Sequence, residues 1–260
     1  MKELKFAQLN IENRVAYITL NRPEKRNALN AQVVQDLKDL FLEAEHSDDA
    51  KVIVLKANGD AFCAGADLAY LKELQNNSFE ENIADSNHLK ELFEQIYHNK
   101  KVVIAQVEGH AIAGGGGLAT VCDFVFSVPE AKFGFTEVKI GFVPAIISVF
   151  ILRKIGEMRT KELLLTGDLV SANKAKALNL INFVVDKDNI EDDVQSFAEK
   201  LINNCSGDSL GLTKELLANV SSMNYKDGLN YASEMNANAR GTKDCIAGIS
   251  AFLNKEQIKW

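Results

Sequence analysis

The chain has 260 residues, long enough for one large domain, and its 47% hydrophobic and 25% charged residues are ordinary for a globular protein. A formal charge of −7, from 29 basic and 36 acidic residues, argues against a nucleic-acid partner, which needs a basic face. It leaves room for a small anion held at a local basic spot. The longest apolar run, 142–152, is too short to cross a bilayer.

The opening, MKELKFAQLNIENR, lacks the apolar core of a secretory leader, so a cytoplasmic protein is expected. VAYITL over 15–20 reads as a strand, and Pro23 breaks it. Asn30 can cap a helix that carries Val33, Leu37, Leu40, Phe41 and Ala44 at helical spacing. Residues 51–55 form a strand apolar enough for burial on both faces. Helices are expected near 68–75 and 80–98, the second with Leu89, Leu92, Phe93 and Ile96 on one face. Strands at 102–107 and 124–128 follow. Strands alternating with helices indicate an α/β fold with parallel pairing.

The run 142–152 reads as a buried core helix. Beyond about residue 145 the strand signal fades. Ser171 can cap a helix to 178, with Asn179 at its left-handed stop. A last short strand is expected at 183–185, then helices at 190–203, 209–220, 226–238 and 242–255. The chain thus divides into a β/α core over 1–200 and a helical C-terminal region over 201–260, without an internal repeat. Cys63, Cys122, Cys205 and Cys245 form no CxxC pair and read as buried small hydrophobes in a reducing compartment.

The stretch GHAIAGGGGLATVCDF, 109–124, places four glycines, Gly114 to Gly117, between a strand and an apolar helix. Each glycine costs about 0.5–1 kcal/mol relative to alanine inside regular structure, so the run needs a reason. Close helix–strand packing is one. A dinucleotide fingerprint is another: Gly114, Gly116 and Ala119 match GxGxxA, with Glu137 downstream. Its context is poor, because residues 107–113 separate the last clear strand position from the glycines. Gly207, Ser209 and Gly211 match GxSxG, but no strand precedes them and all four histidines lie upstream, so a serine hydrolase is set aside. The histidines also lack metal-ligand spacing. The remaining reading is an oxyanion hole: unpaired N–H groups at the start of a helix favour a developing negative charge. A second strand-to-helix passage with small residues, AFCAGADL over 61–68, could supply the other donor.

Five stretches in order resemble the crotonase (enoyl-CoA hydratase/isomerase) superfamily. They are NRPEKRNAL from Asn21, AFCAGADL from Ala61, the glycine stretch from Gly109, KFGFTEVKIGFVP from Lys132, and ISAFLNK from Ile249. The resemblance implies an α/β, β-β-α spiral core with a helical C-terminal trimerisation region, and trimers that often pair into hexamers. It implies an acyl-CoA substrate, with coenzyme A part of the substrate, and no separate cofactor, metal, nucleic acid or membrane. The thioester oxygen would sit between the N–H groups of Ala66 and Gly114, with Glu137 as acid/base. Substrate would also meet Lys25, Arg26, Ala28, Ala64, Gly65, Asp67, Leu68, Gly115 and Gly117. Phe252 and Lys255 would reach the nucleotide end from a neighbouring subunit. Asp67 and Asp123 read as structural, one as a helix cap and the other as a backbone anchor.

The family's hydratases carry two glutamates, and the first falls here on Gly117. One carboxyl suits a Δ3-Δ2-enoyl-CoA isomerase, or a hydratase whose water is held otherwise. Ser148, Thr136 and His110 are candidates for holding it. The segment around Ile140–Ser148, with glycine at 117, resembles the bacterial methylglutaconyl-CoA hydratase branch of leucine and isovalerate breakdown. Its substrate carries a carboxylate of its own. A non-catalytic acyl-CoA binder is the alternative of another class.

Overall fold

The computed structural model describes residues 1–260. β1 (Lys2–Glu3), β2 (Ala7–Glu12) and β3 (Val15–Leu20) precede α1 (Ala31–His46). Next come β4 (Val52–Ala57), β5 (Ala61–Cys63), α2 (Leu68–Leu74) and α3 (Phe79–Tyr97). β6 (Val102–Val107), β7 (His110–Ile112) and α4 (Gly114–Thr120) follow, then β8 (Phe124–Ser127) and β9 (Lys132–Gly134). A 3-10 turn, Glu137–Ile140, leads into α5 (Ala145–Thr166). The chain continues through β10 (Val170–Ser171), α6 (Ala172–Ala177), β11 (Phe183–Val184) and α7 (Ile190–Asn204). It ends in α8 (Gly207–Val220), α9 (Tyr225–Ala239) and α10 (Lys243–Asn254).

The strands form two sheets, ordered β1-β2-β3-β4-β6-β8-β11 and β10-β9-β7-β5. From β3 onward the large sheet is parallel, and so are β5, β7 and β9 in the small one. Three successive passages, β4–β5, β6–β7 and β8–β9, each give one strand to the large sheet and the next to the small one. This is a β-β-α spiral. The sequence shows no repeat because the second strand of each passage has only three residues, too few for periodicity to register. β7 corrects one inference directly: the glycines follow a strand after a single residue, Ala113.

β2 was also unforeseen, although AQLNIE alternates cleanly. It pairs with β3 through a two-residue turn in which Asn13 and Arg14 have φ of 51° and 65°, the mirror-image turn that fits a hairpin's twist. Asn30 caps α1, accepting from the Val33 N–H at 2.9 Å, and Ser171 caps α6. Asn179 takes a left-handed φ of 61°. The run 142–152 corrects another expectation. Ile147 and Ile151, one turn apart, are buried, but Phe142, Val143, Val149 and Leu152 are exposed. α5 also breaks at Gly156 (φ 77°, ψ 170°). Cys63 and Cys122 are buried, and burial pushes both thiols up to about 12; Cys205 and Cys245 are only half-buried.

One cluster of 52 buried residues fills the space between the sheets and their helices. The boundary at 200/201 falls inside α7, whose Ile190, Val194, Ala198 and Ile202 belong to that core. α9 buries no residue, and α10 buries only Ala251. No helix is long and apolar enough to cross a membrane.

Candidate active site

β5, β7 and β9 run parallel and side by side, so the segments leaving their C-terminal ends emerge together. Cys63 pairs with Ala111, and Ile112 with Gly134. Ala64–Ala66, Ala113–Gly114 and Phe135–Glu137 are therefore neighbours. The carboxyl ends of parallel strands are the usual place for a ligand in an α/β sheet.

The Ala66 donor is set by strand-like alternation. Leu29 donates to the Gly65 carbonyl (2.7 Å) and accepts from the Asp67 N–H (2.8 Å). Both flanks of Ala66 thus turn toward Leu29, and Ala66 itself turns the other way. Its N–H finds no acceptor in the protein, and the residue is exposed. Gly114 opens α4, whose first internal bond runs from the Gly117 N–H to the Ala113 carbonyl at 3.0 Å. By position the Gly114 N–H has no acceptor in its helix. Gly65 brings the two donors together: its φ is +92°, and a β-carbon there would lie 2.8 Å from Ala113 Cβ and 3.6 Å from Gly114 N. Ala113, at φ 50° and ψ −125°, is held in a strained conformation beside this point, anchored by its N–H to the Gly134 carbonyl at 2.7 Å.

The other glycines have a different duty. A β-carbon at Gly115 would come 2.2 Å from the Cys63 carbonyl oxygen, one at Gly116 2.9 Å from the Phe135 ring, and one at Gly117 2.6 Å from Ile147 Cδ1. These three are buried packing glycines, whereas Gly114 is half-buried and meets only Leu29 Cδ1, at 3.2 Å. Gly115 and Gly117, expected at the substrate, thus direct their α-carbons into protein.

Glu137 starts the 3-10 turn after β9 and is 9% exposed. Its Oε2 is buried without a partner. Burial raises its carboxyl above the ordinary glutamate value, and only its own backbone N–H opposes this. Such a group moves a proton in either direction more readily near neutrality than an exposed carboxylate does.

The loop around the 3-10 turn Pro23–Lys25 is stitched to the first donor segment. Buried Asn27 donates to the Asn58 and Ala61 carbonyls, each at 2.8 Å, and the Ala64 N–H donates to the Arg26 carbonyl at 3.0 Å. Lys25 and Arg26 stay exposed beside Ala64, Ala28 is buried, and Leu68 projects to solvent. Phe252 and Lys255 lie at the end of the chain on and after α10, which packs mainly on α8, so one chain does not bring them to these donors.

Sequence reasoning did not single out Arg22. Its guanidinium donates to the Ala28 carbonyl at 3.0 Å and pairs with Asp67 at 2.8 Å. Burial by itself would raise the Asp67 carboxyl, but Arg22 and the Ala69 N–H outweigh it and hold it low. Asp67 is also the cap of α2, as expected. The two side chains are 10% and 11% exposed. Arg22→Met leaves Asp67 buried and unpaired, and should cost about 3 kcal/mol. A thermal melt checks this, and an unchanged Tm would refute it. Asp123 accepts from the Val103 N–H and from Lys214, the backbone anchor anticipated for it.

Of the groups considered for holding water, Ser148 donates to the Ala145 carbonyl within its own helix, at 2.7 Å. His110 starts β7 and so lies at the opposite strand end, beside a cleft of about 410 Å³ lined also by Lys56, Asp60, Glu108 and Glu130. Thr136 directly precedes Glu137.

The family model for enoyl-CoA hydratase/isomerase matches residues 10–260. The chain belongs to the enoyl-CoA hydratase/isomerase family. It is 42% identical over 241 residues to a Thermus thermophilus protein that carries an enoyl-CoA hydratase name, covering 93% of this chain and 95% of that one. It is 31% identical over 248 residues to the (E)-benzylidenesuccinyl-CoA hydratase of Thauera aromatica, covering 94% of each. The crystal structure of an enoyl-CoA hydratase from Shewanella pealeana superposes with a TM-score of 0.93 at 28% identity, over 99% of this chain and 97% of that one. The spiral core is thus the crotonase fold, and the free N–H groups and Glu137 lie in a scaffold shared with enoyl-CoA hydratases.

Proposed function

We propose that this family member adds water to an enoyl-CoA thioester that bears its own carboxylate, 3-methylglutaconyl-CoA being the substrate we favour. The observation that carries the reading is the single buried, unpartnered carboxyl, Glu137, on the loop next to two loops with free N–H donors. The thioester oxygen would lie between the Ala66 and Gly114 N–H groups. As water oxygen bonds to C3, Glu137 accepts its proton and the double-bond electrons move onto the thioester oxygen. The same proton then passes from Glu137 to C2, the carbonyl re-forms, and the carboxylate is regenerated. Lys25 and Arg26 suit the nucleotide phosphates. The exposed Leu217, Leu229, Ile246, Ile249, Phe252 and Leu253 of α8–α10 suit a trimer in which Phe252 and Lys255 meet a neighbour's ligand. A diacid-type substrate has a counterpart in the benzylidenesuccinyl-CoA hydratase.

A Δ3-Δ2-enoyl-CoA isomerase is the second reading, because one carboxyl suffices to carry a proton from C2 to C4. Ultraviolet absorbance of the conjugated enoyl thioester separates the two. Absorbance should fall with 3-methylglutaconyl-CoA, and much more slowly with crotonyl-CoA. A rise seen only with a 3-enoyl-CoA would replace the hydratase by the isomerase.

A further inference from the structure

The last carbonyls of α4 are held by a cation from outside the helix. Lys154 lies on α5 directly after the exposed Leu152 and Arg153, where a lysine normally runs its amine out to water. It turns inward instead. Its Nζ donates to the Thr120 carbonyl at 2.6 Å and to the Cys122 carbonyl at 3.1 Å, and both of these residues are buried. The preceding carbonyls are satisfied locally: the Thr120 hydroxyl donates to Gly116 at 2.8 Å, and the Val121 N–H donates to Gly117 at 2.9 Å. Lys154 thus takes carbonyls that the end of a helix leaves without partners. Asp123, next in the chain, pairs with Lys214 at 2.6 Å. Two ammonium groups and one carboxylate therefore close this end of α4, with the positive sign in excess. Burial lowers the Lys154 ammonium below the ordinary lysine value, and Cys122 and Asp123 beside it oppose this. The other end of α4 is the Gly114 N–H. Gly115 to Thr120 between them are all buried, so little solvent screens one end from the other.

We propose that Lys154 is a positioning residue for the reaction: acting through α4, it holds the helix end opposite the Gly114 donor, and its charge stabilises the enolate oxygen received at that donor. The inference rests on the reading that the thioester oxygen lies between the Ala66 and Gly114 N–H groups. The seven residues of α4, at about 1.5 Å each and with a hydrogen bond at either end, put the ammonium about 15 Å from that oxygen. At an effective dielectric of about 20, one unit charge at this distance changes an equilibrium roughly five-fold. Asp123 acts over a similar distance with the opposite sign.

The test titrates acetoacetyl-CoA, whose C2 proton is acidic and whose enolate absorbs in the ultraviolet, on the full-length parent and on Lys154→Met, Lys154→Arg and Asp123→Asn. The parent should lower the apparent pKa of the bound thioester below its value free in solution. Lys154→Met should raise it by roughly 0.7 unit relative to the parent, and lower kcat on the preferred enoyl thioester roughly five-fold with KM little changed. Lys154→Arg keeps the charge and should restore both. Asp123→Asn keeps an acceptor for the Val103 N–H and removes a negative charge, so it should shift the bound pKa downward. A clamp that only holds the fold gives no such reversal of sign, and Asp123→Asn decides the matter should Lys154→Met fail to fold. A parent-like pKa in Lys154→Met, equal shifts in the Met and Arg variants, or an upward shift in Asp123→Asn would overturn the proposal and leave the oxyanion reading standing. A parent that leaves the thioester at its free pKa overturns both.

Discussion

Glu137→Gln is expected to lower turnover of the preferred thioester by on the order of 10²–10⁴-fold while leaving ligand affinity nearly unchanged. Glutamine keeps the size and polarity of the side chain and removes only its ability to accept and return a proton. An acyl-CoA binder without chemistry would show no such split, so equal affinity with retained turnover would refute the role. The same variant has a second signature. Burial raises the folded-state pKa of Glu137 above the unfolded value, so the folded state holds its proton more tightly. The sign follows from linkage: between the two values the folded state binds more protons, and stability falls as pH rises through that window. Glutamine carries no ionisation to oppose. The variant should therefore melt above the parent at neutral pH, with the gap closing below about pH 4, where glutamate is protonated in both states. Melting curves across pH read this without any substrate, and a gap that does not depend on pH would contradict it.

What was legible in the sequence was local. Asn30, Asp67 and Ser171 cap helices by reaching two or three residues along the chain, and each was recognisable from its neighbours. The donor segments could be located because small residues at strand-to-helix passages are a short-range pattern. What escaped was set by contacts between distant residues. Arg22 matters because Asp67 lies beside it in space, and nothing near Arg22 in the sequence says so. Ile147 looked like any residue of an apolar run, and only the packing of α5 on α4 shows why Gly117 has no side chain. The three-residue strands β5, β7 and β9 were missed as strands, although their parallel register is what gathers the site. The exposed half of 142–152 was misjudged because hydrophobicity reports the need for cover, and does not say whether the cover lies in the same chain.

The run of glycines separates into two kinds, and alanine tells them apart. Gly115→Ala should be the most damaging single methyl in the molecule's site region. Its β-carbon would lie 2.2 Å from the Cys63 carbonyl oxygen and 2.7 Å from the carbonyl carbon, both backbone atoms of β5. Backbone in a hydrogen-bonded sheet cannot swing aside as a side chain can. The cost should reach or pass the upper end of the ~1–3 kcal/mol typical of overpacking. That amounts to a fall in Tm of roughly 6–12 °C for a chain of this size. Gly114→Ala meets only the Cδ1 end of the buried Leu29 side chain, at 3.2 Å, which need yield only a few tenths of an ångström, so its Tm should fall far less than that of Gly115→Ala. Its methyl instead crowds the oxygen that the Gly114 N–H is placed to receive. Losing one such donor costs on the order of 10²–10³ in kcat, and a partial loss in that direction is expected without loss of fold. Stability lost at 115 and activity lost at 114 would show packing and chemistry sharing one four-residue stretch. If Gly114→Ala instead lowered Tm as much as Gly115→Ala and left kcat untouched, the first glycine would join the other three as a packing residue, and the second donor beside Ala66 would have to be sought elsewhere.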